Sequence, residues 1–155
     1  MKIEIEFKNI EEHKLNKLYD WCDSLRIALI SNKAQNKDYV LFRNGEDAFL
    51  LAHGSEDGRI QLKNQLYTPQ QVVQALAPLA KKQGINFVYS LCCFGGIQSP
   101  VEYDGVTLKS FHPSRNEVEV LPLMDNISFL FDVTEEEFKN WEIPSSENYK
   151  IYIYK

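Results

Sequence analysis

Residues 2–8 (KIEIEFK) alternate strictly between apolar and charged, placing Ile3, Ile5 and Phe7 on one face. That period of two, with one wet face, predicts a strand. Asn9, with Glu12 three residues on, matches a capping box. Leu15, Leu18, Cys22 and Leu25 form the apolar stripe of the helix it would start, so Cys22 reads as a core residue. Residues 26–30 (RIALI) suit a short buried strand. Residues 39–43 (YVLFR) and 47–52 (DAFLLA) are two more strands, joined through the hairpin signal Asn44-Gly45. The second is apolar almost throughout, as in a strand covered on both faces, and it runs into His53-Gly54.

Residues 58–66 alternate weakly and predict a small surface hairpin. Thr68, Pro69 and Gln71 then mark a helix start as N-cap, first-turn proline and capping-box partner. Val72, Ala75, Leu76 and Leu79 are the expected buried stripe, and Gly84 is placed for the C-terminal cap. Pro78 removes an interior hydrogen bond at a cost of about 3 kcal/mol and predicts a kink or an early end. Residues 85–91 (INFVYSL) form the next strand, which delivers Cys92 and Cys93 and then Gly95-Gly96. The run IQSPVEYDG reads as loop. Residues 106–111, 117–121 and 127–133 are shorter strands, and His112-Pro113 ends the first of them. Thr134 caps an acidic helix with Phe138 and Trp141 as packing residues. Residues 149–154 (YKIYIY) alternate as a last strand, with Tyr149, Tyr152 and Tyr154 read as sheet surface.

Alternating strands and helices over 155 residues, without a repeat or linker, predict one α/β domain covering 1–155. The segment from Asp47 to Leu91 should be a right-handed parallel crossover. His53 and the cysteine pair would then share the carboxyl edge of the sheet, where α/β proteins bind ligands. Composition narrows the function. A net charge of −5 supplies no basic excess for phosphates, so nucleic acid is not an expected partner. The charged N-terminal run lacks an apolar signal core and no segment is apolar enough to span a membrane, so a cytoplasmic protein is expected. Three cysteines, two of them adjacent, make no disulfide framework, leaving thiols available for chemistry.

A cysteine nucleophile acts as its thiolate, and a neighbouring imidazole is a common means of producing it. The tetrahedral oxyanion then needs backbone N–H donors held in place. Glycine after His53 permits close backbone approach, and the glycines after Cys93 permit a tight turn. Consecutive strand residues face opposite ways, so only one of Cys92 and Cys93 can readily meet His53. His112 with His53 and the two cysteines lacks the ligand spacing of a zinc site.

The ordered set FLLAHG, helix, FVYSLCC resembles the caspase-like fold of cysteine peptidases, the clan of caspases, gingipains, legumains, clostripain and separase. The LYTPQQVVQAL segment is similar to the helix start that follows the histidine in bacterial relatives. The resemblance covers about the middle third of the chain. It implies a three-layer α/β domain whose mixed, mostly parallel sheet is flanked by helices. It assigns His53 and Cys93 as catalytic residues and the N–H groups of Gly54 and Cys93 as the oxyanion hole. Cys92, standing where a small residue usually precedes the nucleophile, is the less favoured thiol. The implied activity is a cysteine endopeptidase acting on a peptide or protein through an acyl-enzyme, without metal or organic cofactor. The alternative is a catalytically inactive module that binds a partner protein. Leu91-Cys92-Cys93-Phe94-Gly95 departs from the caspase signature Gln-Ala-Cys-Arg-Gly, and no specificity residue aligns.

Overall fold

The computed structural model of the protein describes residues 3–12, 16, 39–44, 47–123, 126–130, 133–141 and 149–154. Most of the helix expected after Asn9, including Cys22, and the strand expected at 26–30 lie outside the described residues. The alternating run becomes β1 (Ile3–Lys8). YVLFR and DAFLLA become β2 (Tyr39–Asn44) and β3 (Asp47–Gly54), paired antiparallel from Tyr39↔Ala52 to Asn44↔Asp47. The weakly alternating stretch is the hairpin β4 (Ile60–Leu62) and β5 (Gln65–Tyr67), turned by Lys63 and Asn64 at positive φ.

Helix α1 spans Pro69–Lys82. Thr68 accepts a hydrogen bond from the Gln71 N–H, and the Gln71 side chain accepts from the Thr68 N–H, so the capping box is complete. The helix runs on through Pro78 without the expected early end. Pro78 is exposed, as is Gln74, whose carbonyl loses its helical donor, so water can satisfy that carbonyl. The buried stripe is Val72, Val73, Ala77 and Ala80, while Leu79 is 47% exposed. The structure thus rotates the helix away from the expected face, because its apolar residues span more than one side.

After β6 (Phe87–Leu91) and a single 3-10 turn (Gly95–Ile97) comes β7 (Val101–Tyr103), inside the stretch expected to be loop. Asp104 and Gly105, both at positive φ, turn it into β8 (Val106–Ser110). The remaining elements are β9 (Glu119–Leu123), β10 (Asn126–Leu130), α2 (Glu135–Lys139) and β11 (Tyr149–Tyr154).

The strands form two sheets. One has the order β5-β4-β3-β6-β8-β7, with β2 also paired to β3, and the other β1-β11-β10-β9. The chain is α/β, but its sheets are mixed rather than mostly parallel. β3–β6, β6–β8, β1–β11 and β10–β11 are parallel. β2–β3, β3–β4, β4–β5, β7–β8 and β9–β10 are antiparallel. All five antiparallel pairs join strands consecutive in the chain through links of two to five residues, and a link that short cannot return a strand parallel to its neighbour.

Each face of the larger sheet has its own core. On one, α1 lays Val72, Val73, Ala77 and Ala80 against Leu50, Val88, Cys92 and Leu108. A fully buried Val or Leu contributes about 1.5–3 kcal/mol. On the other, Phe49, Tyr89, Leu91 and Phe111 meet Phe129, Ile151 and Ile153 of the second sheet, with Phe138 of α2. Helices were expected on both faces; here a second sheet helps to cover one of them. Tyr149, expected at the surface, is 2% exposed in this core, and its hydroxyl donates to the carboxylate of Asp47. Alternation identifies a strand's two faces but not which of them is buried.

Candidate active site

β3 and β6 run side by side from Asp47↔Phe87 to Leu51↔Leu91. Two residues beyond the last pair stand His53 on one strand and Cys93 on the next. At that level the other edge of β3 changes partner. β2 accompanies it as far as Ala52, and β4 takes over at His53 and Gly54.

The two cysteines separate by face. Cys92 belongs to the core beneath α1 and is 1% exposed. Cys93 is half-buried, and its Sγ donates to the carbonyl of Val118 at 3.4 Å, a residue of the opposite core. Phe49 and Leu51 pack on that same opposite side, so alternation along β3 carries His53 there too. Gly54 faces the other way: a Cβ built on it would stand 3.0 Å from the Cys92 Cβ and well inside contact distance of the Cys93 carbonyl oxygen. His53 and Cys93 therefore share one face, and Gly54 and Cys92 the other. Only glycine allows the strand ends to approach this closely.

The imidazole of His53 is exposed. Cys92 is poorly suited to nucleophilic work, because burial pushes its thiol up to about 11. Its sulfur instead accepts from Gln98 Nε2 at 3.8 Å, and Gln98 Oε1 accepts from Ser90 Oγ at 2.9 Å.

The turn after Cys93 is held from the segment following β8. Phe94 adopts a left-handed conformation at φ 59°, which costs a residue with a side chain about 1–2 kcal/mol. Its N–H donates to the Asn116 carbonyl at 2.9 Å, and Gly96 N–H donates to Ser114 at 2.7 Å. His112 is fully buried against this turn, with Nε2 2.7 Å from the Cys92 carbonyl oxygen. The sequence marked His112-Pro113 as the end of a strand and His112 as a poor zinc ligand; its partner lies 20 residues upstream, and no spacing rule connects them. Among the described residues no group of three or more His, Cys, Asp or Glu side chains could hold a metal ion. No described helix is long and apolar enough to cross a membrane.

Comparison of the chain with protein-family models, with curated proteins and with solved structures gave no match. The functional reading therefore rests on the site's own chemistry.

Proposed function

We propose that the protein is a caspase-like cysteine peptidase with a Cys93–His53 dyad. The observation that supports this reading is the common face of His53 and Cys93 at adjacent parallel strand ends, with Cys92 turned into the opposite core. In the reaction His53 takes the thiol proton and Cys93 Sγ attacks the scissile carbonyl carbon. The N–H groups of Gly54 and Cys93 hold the developing oxyanion. Collapse of the tetrahedral intermediate breaks the C–N bond, and His53 delivers the proton to the departing amine. Water, deprotonated by His53, then attacks the thioester carbonyl, which releases the acid and restores the thiol. A reducing compartment such as the cytoplasm keeps Cys93 competent for this chemistry.

Alkylation tests the dyad directly. Folded protein is treated with iodoacetamide near neutral pH, and the adducts are located by mass spectrometry in the wild type and His53→Ala. Cys93 should label fastest, and its rate should fall about tenfold or more without His53. Slow, equal labelling of all three cysteines would reject the peptidase reading.

A second reading, an inactive module that binds a partner protein, draws on one observation: the Cys93 thiol is directed at the Val118 carbonyl. That reading expects Cys93 labelling to be indifferent to His53.

A further inference from the structure

His112 is the one fully buried imidazole among the described residues, and the dyad does not use it. Its Nε2 stands 2.7 Å from the carbonyl oxygen of Cys92. A carbonyl can only accept, so Nε2 carries the hydrogen and Nδ1 is the bare nitrogen. Nδ1 has no hydrogen-bond partner among the described residues. Burial accordingly holds the imidazole neutral, with its pKa lowered to about 4. Among the described residues Nδ1 is orphaned, at a cost in free energy, while the other ring nitrogen places a donor on the Cys92 carbonyl.

The position is engineered from several sides. Ser110 Oγ donates to the His112 carbonyl at 2.8 Å, fixing the backbone that carries the ring. Gly95 supplies the room: a Cβ there would come within 3.0 Å of His112 Cε1 and 3.1 Å of Nε2. Phe129 meets the ring edge-on at 5.5 Å between centroids.

The carbonyl of Cys92 and the N–H of Cys93 belong to one planar, trans peptide unit, so they point in opposite directions. β6 lies between β3 and β8 in the sheet. His112 follows β8 and draws the Cys92 carbonyl to that side, so the Cys93 N–H is turned toward β3. The Cys93 carbonyl oxygen abuts Gly54 at the end of β3, so this peptide lies directly beside that strand end.

We infer that His112 is a positioning residue: its Nε2–H grips the Cys92 carbonyl and, through the rigid peptide, aims the Cys93 N–H into the oxyanion site beside Gly54. This inference rests on the Cys93–His53 reading and assigns that site a second histidine with a different task. His112 touches neither the thiol nor the substrate and moves no proton.

Two reagents separate the tasks. Iodoacetamide is attacked at a saturated carbon and forms no oxyanion. With p-nitrophenyl acetate, Cys93 Sγ bonds to the carbonyl carbon through a tetrahedral oxyanion, and p-nitrophenolate leaves with the C–O bonding pair. In His112→Leu, acylation should fall about 100-fold while alkylation of Cys93 stays within about threefold. His112→Gln, whose side-chain N–H can occupy the place of Nε2–H, should recover most of the acylation rate; His112→Asn, too short to reach, should not.

Equal losses of acylation and alkylation, or equal behaviour of Gln and Asn, would overturn the inference and reduce His112 to a packing residue. Slow alkylation of the wild type that ignores His53 would instead reject the dyad, and the inference with it. If the Leu variant does not fold, nitrogen-15 NMR of the wild-type imidazole decides. A proton on Nε2 hydrogen-bonded to a carbonyl supports the assignment, and a proton on Nδ1 overturns it.

Discussion

Gly54→Ala probes the apposition of the two strand ends with a single methyl group. Gly54 is not at positive φ, so alanine meets no backbone penalty there. The cost is steric. The new Cβ would overlap the Cys93 carbonyl oxygen and stand 3.0 Å from the Cys92 Cβ. The first obstacle is backbone and cannot rotate away, so β3 and the cysteine turn must separate by about 1 Å, an overpacking cost of about 1–3 kcal/mol. A shift of that size at a reacting pair reduces rates by about 100-fold. Urea denaturation measures the first effect, and iodoacetamide labelling of Cys93 the second. Gly84→Ala is the matched control. Gly84 has φ +71° and nothing within 4 Å of an added Cβ, so alanine should cost about 1 kcal/mol of stability and leave Cys93 reactivity unchanged. Unaltered stability and labelling in Gly54→Ala would show that the strand ends are not in contact, and the site as described would fall.

Two further outcomes are expected. His112 titrates near 4 when folded and near 6.5 when unfolded, so its contribution is complete above pH 6.5 and is lost as pH falls through 4. Stability should drop by roughly 2–3 kcal/mol between pH 7 and 4.5 from this group, and the drop should shrink in His112→Gln; identical pH profiles by chemical denaturation would refute it. Phe111→Ala should cost about 3–5 kcal/mol in urea melts, because its ring lies 5.4–6.1 Å from those of Tyr149, Trp141, Phe49, Tyr89 and Phe129. A loss below about 1 kcal/mol would mean that the two sheets do not share this core.

Local chemistry was the legible part of this sequence. Thr68 and Gln71 needed only each other to form their cap, and Asn44-Gly45 needed only its flanking strands. Alternation likewise favoured a single thiol, since Cys92 and Cys93 had to part. What escaped was choice among equivalent faces. The apolar residues of α1 cover roughly 200° of the helix at 100° per residue, so pattern could not select Val73, Ala77 and Ala80 over Ala75 and Leu79. The short strand β7 was hidden behind Pro100 and the polar character of its neighbours, although Asp104-Gly105 marked the turn that completes its hairpin. The grip of His112 on Cys92 escaped for a different reason. It depends on β8 lying beside β6, a neighbourhood set by the sheet and not by any motif.

The placement of β11 also governs when this protein becomes itself. β11 is inserted between β1 and β10, so Ile3 must find Tyr149 before the smaller sheet can close. Contacts of such separation form slowly, because the entropy of closing a long loop is lost before any pairing compensates it. An association of β3, β6 and β8 with α1 alone would leave Phe49, Tyr89 and Phe111 bare on their far side until β10 and β11 dock there. The hazard would be kinetic: a chain held at such a stage would present an aromatic surface to its neighbours, on the face that carries His53 and Cys93.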